Sequence, residues 1–374
     1  MRKTLINLSN LHVGGGVQVG VSLISELSRS TFNLSEFDLW ISTEIHENLL
    51  ISGLNLDCFS CVCIINTYGI GSIFSFKINY KFLFKYSTVF TLFGPYYTIF
   101  KPNMHIVGFA QPSILYPDVA IKLVPNWFKK FLLGIKLLLQ SYFFYRSDVL
   151  IVELDNVKNG LLDIPFFRKK KIYVVHNSCS NIYSSPKYWE NINFNFGNRK
   201  IKLGFLGRNY PHKNTSILPK VLILLRSKFN LDVDIFVTFT NEEWTSCSDD
   251  FRMLIKNIGP LRVSQCPTFY SNMDGIIFPS LLECFSVTPL ESLVMGKPIF
   301  LSDRDFNRNI VKDHGFYFDP LDPEDIAYII NEYFTKSYYL AINFNDIRNY
   351  ALKSFNPKRR MEEYTKIIKD SKYE

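Results

Sequence analysis

Hydrophobic positions alternate along the chain between short runs rich in β-branched residues and longer stretches with apolar residues at helical spacing. In the first 180 residues the short runs predict strands at Thr4–Leu8, Phe37–Ile41, Phe59–Ile65, Thr88–Leu92, His105–Phe109, Val149–Val152 and Ile172–Val175. Gly14–Gly16 predict a turn after the first strand, and the apolar spacing from Val17 to Ser28 predicts a helix. This alternation is typical of α/β units on a parallel sheet.

The pattern restarts after Tyr183–Arg199, a polar, Asn-rich segment that contains Pro186. Here we predict strands at Ile201–Leu206, Val233–Phe239, Gly275–Phe278 and Pro298–Leu301, and helices at Ser216–Lys228, Thr288–Met295 and Asp322–Phe334. Two terminal helices are expected on either side of Pro357.

The expected domains are an N-terminal domain at 1–180, a linker at 181–200, a second domain at 201–355, and a C-terminal helix at 356–374 that packs back toward the first domain. Because ligands of open α/β sheets bind at the carboxyl ends of the strands, the default site is the cleft between the two halves.

The length of 374 residues fits two folded domains. Because 47% of the residues are hydrophobic, disordered and fibrous classes of protein are excluded.

The net charge of +8 is confined to one segment. From Cys58 to Arg146 the chain has nine basic residues and a single acid, Asp118, so this segment alone carries 9 − 1 = +8. A basic region rich in Phe and Tyr indicates an anionic partner: a membrane surface, a nucleic acid or a phosphorylated substrate.

No signal peptide is expected, because the apolar run at the start is too short and Gly14–Gly16 follow it at once. No transmembrane helix is expected either, because no window of about 18 residues is apolar and free of charge. Seven cysteines, an odd number, indicate reduced thiols in the cytosol. We interpret Cys58, Cys61 and Cys63 as buried strand cysteines, since no second pair stands at zinc-binding spacing. The six histidines show no metal-ligand spacing either, so no metal site is predicted.

The candidate chemistry lies in the second half. Arg208 and Lys213 flank a loop at the carboxyl end of a strand, where two cations can clamp a diphosphate. Glu283 and Glu291 are separated by seven residues across a turn that opens a helix. The free N–H groups from Phe285 to Thr288, at the positive end of the helix dipole, suit an anion.

In this order and spacing, these residues resemble the retaining glycosyltransferases of family 4. The resemblance covers most of the chain and is strongest from Ile201 to Pro320. It implies a GT-B fold, with two Rossmann-like α/β domains facing across a cleft. It also implies a hexosyltransferase that takes its sugar from a nucleotide-diphosphate sugar and passes it to a lipid-linked glycan acceptor in bacterial surface-polysaccharide (O-antigen, lipopolysaccharide or capsule) synthesis.

The resemblance also implies roles for single residues. Arg208 and Lys213 would bind the donor diphosphate, Glu283 the donor sugar and Glu291 the ribose. The amides of Ser286, Val287 and Thr288 would face the phosphates, and Phe285 before them is also expected to bind the donor. Gly15 and Gly16 belong to the glycine-rich loop that approaches the donor. Arg208, Lys213 and Glu283 are the expected catalytic residues, with no metal and no cofactor.

Four positions depart from the family pattern. Cys284 and Ser286 stand where glycines are frequent. Gln111 occupies, on the acceptor side, the place of a histidine that many members have, and it cannot act as a base. Asn309 replaces a motif glutamate. Because front-face attack lets the leaving phosphate take the acceptor's proton, the resemblance implies a mechanism without a dedicated base.

The segment 122–146 predicts a basic, very apolar helix around Trp127–Leu139, extended by Tyr142–Arg146. Two interpretations stay open: a helix in the interface of an anionic membrane, or a buried helix whose lysines reach solvent. Nucleic acid is not expected, because no binding motif accompanies the charge. The expected location is peripheral, on the cytoplasmic face of the inner membrane.

Two other functions remain as alternatives. Gly14, Gly16 and Gly20 form a variant dinucleotide fingerprint, which would indicate an NAD-type oxidoreductase. The departures at Gln111 and Asn309 would fit a membrane-associated scaffold without activity.

Overall fold

The computed structural model describes residues 3–75, 78, 80, 81, 85–336 and 342–371. Lys77, one of the nine basic residues counted above, and residues 372–374 of the predicted C-terminal segment lie outside this part. The chain divides into two compact units. The first contains the described residues within Met1–Pro117, Val124–Ser178 and Phe355–Glu374, and the second those within Asp118–Leu123 and Cys179–Ser354.

The first unit is built on a parallel sheet in the order β3-β2-β1-β4-β5-β6-β7, counted over the described residues. The strands are β1 (Lys3–Leu8), β2 (Phe37–Ile41), β3 (Cys61–Ile64), β4 (Tyr86–Thr91), β5 (Met104–Gly108), β6 (Val149–Val152) and β7 (Lys171–Val174). The helices in this stretch of chain are α1 (Gly14–Arg29), α2 (Thr43–Ile51), α3 (Pro112–Leu115), α4 (Pro117–Lys122), α5 (Trp127–Arg146) and α6 (Asp155–Asp163), with a 3-10 turn at Gly69–Phe74.

The second unit repeats this architecture with a sheet in the order β10-β9-β8-β11-β12-β13, again over the described residues. Its strands are β8 (Ile201–Phe205), β9 (Val233–Val237), β10 (Lys256–Asn257), β11 (Gly275–Phe278), β12 (Ile299–Ser302) and β13 (Phe316–Phe318). Its helices are α7 (Leu218–Ser227), α8 (Asn241–Thr245), α9 (Asp249–Leu254), α10 (Cys266–Asn272), α11 (Val287–Val294), α12 (Asp305–Val311), α13 (Pro323–Thr335) and α14 (Phe344–Ser354). Short 3-10 turns lie at Asn181–Ser184, Pro186–Tyr188, Pro211–Lys213, Thr215–Ile217, Val263–Gln265 and Lys312–His314.

The central strands are buried on both faces, which explains why the sequence shows continuous apolar runs and not alternation. Every residue of β2, β6, β9, β11 and β12 is buried. A parallel sheet takes this form because its crossover helices cover both faces. All the predicted strands of both halves are confirmed, with ends that differ by at most two residues.

Two local predictions were wrong. Gly14–Gly16 do not form a separate turn, because α1 begins at Gly14 itself; φ of +63° at Gly14, which glycine adopts without strain, lets the chain enter the helix directly. The three neighbouring cysteines are not buried: Cys58 is exposed and lies before β3, and Cys61 and Cys63 are partly exposed because β3 is the edge strand. All seven cysteines are free thiols.

The C-terminal helix α15 (Pro357–Asp370) lies in the first unit. Its apolar face joins the core of that unit through Met361, Tyr364, Ile367 and Ile368. Arg360 is 1% exposed. Its guanidinium donates to Asn177 Oδ1 at 2.6 Å and to Ser22 Oγ at 2.8 Å. The helix is therefore held by both apolar packing and a buried cation.

Helix α5 carries the basic aromatic segment as one continuous helix of 20 residues. Only Gln140, Phe143 and Phe144 of this helix are buried, all in its last two turns. Its exposed apolar side chains are Trp127, Phe128, Phe131, Leu132, Ile135, Leu138, Tyr142 and Tyr145. The interpretation of α5 as a buried helix is therefore wrong over most of its length. No helix within the described residues has the length and apolar character needed to cross a membrane.

Candidate functional site

The candidate residues of the second unit lie where the order of its sheet reverses. β8 has β9 on one side and β11 on the other, so the crossovers after β8 and after β11 leave the sheet in opposite directions. This point opens a crevice at the carboxyl ends of the two strands, where ligands of open α/β sheets bind. The loop after β8 carries Arg208 and Lys213, and the loop after β11 carries Glu283.

Arg208 is placed by the loops that follow β8 and β9. Its side chain is 52% exposed, and its Nε donates to Glu243 Oε1 at 2.7 Å. This bond raises the pKa of the Arg208 guanidinium, which keeps it cationic. Before it, the Gly207 N–H donates to Thr238 Oγ1 at 3.1 Å, so the two neighbouring loops are tied together.

Lys213 and Glu283 form a close ion pair in the crevice. Lys213 ends a 3-10 turn, and the next residue, Asn214, is left-handed with φ of +55°. The Lys213 Nζ donates to Glu283 Oε1 at 2.5 Å, with the side chains 15% and 11% exposed. Ser280 Oγ donates to the same oxygen at 2.7 Å. Two residues 70 positions apart are thus brought together by strand order.

His212 joins the same cluster. The His212 carbonyl accepts from the Leu281 N–H at 2.8 Å, which ties the loops after β8 and β11 to each other. Its Nε2 lies 3.9 Å from Glu283 Oε1. Burial lowers the pKa of His212 more than the neighbouring Glu283 raises it, so the ring is neutral near pH 7. A neutral imidazole leaves Lys213 as the cation that faces Glu283 here.

The residues predicted to face the phosphates open α11. Ser286 is its N-cap residue, and the Ser286 side chain makes no capping hydrogen bond. Ser286 and Thr288 are buried. Thr288 Oγ1 donates to the Leu206 carbonyl at 3.4 Å, which places the start of the helix beside the end of β8. The first N–H groups of a helix have no partners within it and carry partial positive charge.

Glu291 is a buried residue of α11. Its carboxylate is buried, and the Tyr270 hydroxyl donates to Oε2 at 2.7 Å. Burial raises the pKa of Glu291, although hydrogen bonds from Tyr270 and Tyr183 oppose this effect. Glu291 is thus held in a fixed place on α11, one helical turn beyond the predicted phosphate-facing amides.

Two of the departures from the family pattern, Cys284 and Asn309, also lie in the second unit. Cys284 is buried. Asn309 is on α12, where its Nδ2 donates to the Asp305 carbonyl at 2.9 Å. Its neighbour Arg308 makes a two-pronged ion pair with Asp303 at 2.5 and 2.8 Å.

The remaining predicted residues belong to the first unit. Gly15 and Gly16 form the first turn of α1, and a Cβ on Gly15 would meet no atom within 4 Å. The open N-terminus of a 16-residue helix is therefore accessible there. Gln111 follows β5 as the N-cap of α3, and its carbonyl accepts from the Ile114 N–H at 3.1 Å.

The sequence analysis missed Glu243, which pairs with Arg208, and Tyr270, which pairs with Glu291. Glu243 had a detectable signal: Thr240 and Glu243 stand at the spacing of a capping box, and the structure contains that box at the start of α8. Tyr270 has no comparable signal in the sequence. Within the described residues, no group of three His, Cys, Asp or Glu side chains is arranged to hold a metal ion.

Comparison with known proteins places this site in context. Residues 189–353 match the sequence model of the family described as Glycosyl transferases group 1. No curated protein matches the sequence significantly. The prediction of a glycosyltransferase sequence family is thus supported for the second unit.

Solved structures match nearly the whole chain. Sucrose-phosphate synthase from Thermosynechococcus elongatus matches with a TM-score of 0.69 at 11% identity, covering 98% of both chains. Alr3699/HepE from Anabaena, in complex with UDP-glucose, matches with a TM-score of 0.66 at 12% identity, covering 99% of this chain and 100% of that one. WaaG, a glycosyltransferase involved in lipopolysaccharide biosynthesis, matches with a TM-score of 0.66 at 11% identity, covering 98% and 99%. The predicted fold class is confirmed: the chain is an α/β protein with two Rossmann-like domains of the GT-B type.

Proposed function

We propose that this chain is a glycosyltransferase that moves a sugar from a nucleotide-diphosphate sugar to a glycan acceptor. The observation that carries the proposal is the cluster at the sheet reversal of the second unit. There Arg208, Lys213 and the first N–H groups of α11 lie on loops at the carboxyl ends of β8 and β11. The same unit matches the group 1 glycosyl transferase family, and the Anabaena structure supports UDP-glucose as the first donor to test.

The proposed chemistry follows from the charges of these groups. Breaking the bond between the anomeric carbon and the diphosphate puts negative charge on the leaving group. Arg208, Lys213 and the amides of Ser286–Thr288 would stabilise that charge as it develops, without a metal ion or cofactor. The Lys213–Glu283 pair would open as the diphosphate arrives, which leaves Glu283 to accept a hydrogen bond from the donor sugar. Glu291, held by Tyr270, would receive the ribose.

We further propose the retaining course of family 4. In front-face attack the acceptor hydroxyl approaches from the side of the leaving phosphate, which takes its proton. This course asks for no dedicated base, which suits Gln111 on the acceptor side. The anomeric configuration of the product, read from proton–proton couplings in its NMR spectrum, tests it, because an inverted product would contradict the proposal.

The proposed acceptor is a lipid-linked glycan of a bacterial surface polysaccharide, reached from the cytoplasmic face of the membrane. The exposed face of α5 supports this proposal. Phe131 and Leu138 are 60% and 73% exposed, and exposure of such apolar side chains to water is unfavourable. Lys129 and Lys136 of the same helix are exposed too. A helix with exposed aromatic residues and lysines suits an anionic membrane interface. The likeness to WaaG supports the same kind of pathway.

A thermal-shift panel tests the donor proposal. A ligand that binds the folded state raises the melting temperature by mass action. We expect UDP or GDP, and the matching nucleotide sugar, to stabilise the protein in the presence of EDTA, while NAD does not. Stabilisation by NAD alone would favour the oxidoreductase. Binding without sugar transfer or donor hydrolysis would favour the inactive scaffold.

A further inference from the structure

Glu243 is an unassigned carboxylate in direct contact with Arg208. It lies on α8, after β9, and its side chain is only 13% exposed. Arg208 lies on the adjacent loop after β8, and its Nε donates to Glu243 Oε1 at 2.7 Å. Because β8 and β9 are paired strands, both residues stand at the same carboxyl edge of the sheet.

The position of Glu243 is set by bonds other than the one to Arg208. Its Oε2 accepts from the Thr240 N–H at 3.0 Å, and its own N–H donates to Thr240 Oγ1 at 3.3 Å, which completes a capping box. Its Oε1 also accepts from the Asn209 N–H at 3.2 Å. The carboxylate is therefore fixed by backbone groups on both sides before Arg208 joins it.

The charge of Glu243 is secured by the same contacts. Burial raises the pKa of Glu243, but hydrogen bonds from Thr240, Arg208 and Asn209 lower it more, and the net pKa is below its ordinary value. The group is ionised at neutral pH. It can thus hold a guanidinium by a charge-assisted hydrogen bond, which is stronger than a neutral one.

The bond uses one specific nitrogen of Arg208. Within the described part of the chain, neither Nη atom of Arg208 donates to a protein acceptor. A guanidinium has five N–H donors in a rigid fork, and anchoring Nε leaves the four N–H groups of the two Nη atoms available. An exposed arginine loses much rotamer freedom when it binds a ligand, so holding it beforehand lowers the cost of binding.

We propose that Glu243 is a positioning residue for Arg208, which it anchors through Nε so that both Nη groups are available to the diphosphate of the nucleotide. This inference rests on the proposed function, because it assigns the diphosphate as the partner of Arg208. The opposite role is also physically possible: a carboxylate beside Arg208 could compete with phosphate and weaken its binding. The two roles predict opposite effects when the charge of Glu243 is removed.

Glu243→Gln separates the two roles. Glutamine also completes a capping box, so α8 retains its N-terminal structure. Glu242→Gln is the matched control: Glu242 is the neighbouring acid in the same turn, its charge also attracts Arg208, and it makes no hydrogen bond to that residue. The measurement is the affinity for UDP and for uridine by calorimetry. The ratio of the UDP affinity to the uridine affinity reports the contribution of the diphosphate, because misfolding would weaken the binding of both ligands alike.

We expect Glu243→Gln to lower the UDP-to-uridine affinity ratio by roughly tenfold, the scale of one lost charge-assisted hydrogen bond. Glu242→Gln should keep the wild-type ratio. In an Arg208→Ala background, Glu243→Gln should have no further effect on the ratio, since Glu243 acts through Arg208.

A ratio that is unchanged or higher in Glu243→Gln overturns the positioning role, and a higher ratio identifies competition. An equal loss in the Arg208→Ala background shows that Glu243 acts without Arg208 and also overturns it. If wild type binds neither UDP nor GDP, the proposed function fails, and this inference fails with it.

Discussion

Arg208 and Lys213 each pair with a carboxylate, but their side chains differ strongly in solvent exposure. The side chain of Arg208 is 52% exposed beside Glu243, whereas that of Lys213 is 15% exposed against Glu283. A ligand can reach Arg208 without breaking a buried contact, whereas the ammonium group of Lys213 is already in a largely buried pair with Glu283. A diphosphate bound as proposed would thus reach the exposed guanidinium of Arg208 more readily than the ammonium group of Lys213.

Arg208→Ala should therefore slow sugar transfer strongly. If Arg208 acts mainly on the charge that develops in the transition state, we expect a loss of about 2–4 kcal/mol of activation free energy, as for a lost oxyanion donor. The measurement is kcat with the nucleotide sugar found by the thermal-shift panel. Arg199→Ala is the control, since Arg199 pairs with Asp232 on the surface of the same unit. Turnover near that of wild type in Arg208→Ala would remove this residue from the mechanism.

Glu153 gives the stability of the protein a specific pH dependence. It is buried in the first unit, and burial raises its pKa to about 7, from an ordinary value of 4.5, while Arg360 and Asn177 oppose the shift. Because the folded state holds this proton more tightly, protonated Glu153 adds stability that is fully present below pH 4.5. That stability is lost as the pH rises through about 7.

Glu153→Gln should remove this dependence, since glutamine does not titrate. Wild type should lose up to about 3 kcal/mol more stability than the variant between pH 5 and pH 8. Melting temperatures at both pH values measure this difference, and the exposed Glu47→Gln should follow wild type. Parallel pH profiles of wild type and Glu153→Gln would show that Glu153 keeps one protonation state in this range.

At the level of elements, the C-terminal helix α15 supplies part of the core of the first unit although it follows the second unit in sequence. Tyr364 packs against Phe90 of β4, with ring centroids 5.2 Å apart. Arg360 reaches Asn177, just after β7, and Ser22 of α1. The helix therefore contacts β4 through Tyr364, and α1 and the segment after β7 through Arg360.

Arg360→Leu should destabilise the first unit by about 3–5 kcal/mol, because it leaves buried polar groups and Glu153 without their cation. Arg359→Leu is the matched control on the same helix: Arg359 is exposed in a surface pair with Glu363, so a change within about 1 kcal/mol is expected. Urea unfolding followed by tryptophan fluorescence measures both. Equal stability of the two variants would contradict the buried role of Arg360.

At the scale of the whole molecule, charge and exposed apolar surface are concentrated in the same part of the chain. The segment from Cys58 to Arg146 contains nine basic residues and one acidic residue, whereas the segment from Ile172 to Glu374 contains 25 basic and 23 acidic residues. The excess positive charge therefore lies in the stretch of sequence that also contains α5, whereas the stretch that contains Arg208 and Lys213 is nearly balanced.

We predict salt-sensitive binding to anionic vesicles through this face. Leu138→Asp should reduce co-sedimentation with phosphatidylserine vesicles at low salt, since it places a like charge at the interface. Met253→Asp, at an equally exposed apolar position on α9 of the second unit, is the control and should bind as wild type does. Wild-type protein that stays in the supernatant at low salt would overturn the membrane proposal.

The sequence by itself determined the elements and their type. Each predicted strand is a local run of apolar residues, and its burial on both faces comes from the parallel sheet that such runs favour. The start of α13 was also predicted from local sequence, because Asp322 is a typical N-cap residue and Pro323 a typical first helical residue. The strands that escaped prediction, β10 with two residues and β13 with three, are too short to show a period.

Only the tertiary structure decided which charges meet. The sequence placed Lys213 and Glu283 in one site but did not pair them, and it did not connect Arg208 with Glu243 at all. These partners are 70 and 35 positions apart. They meet because β8 lies between β9 and β11, and that order arises from packing of the whole sheet. A local sequence pattern does not specify strand order. The pairing of these charged side chains can therefore be seen only in the tertiary structure.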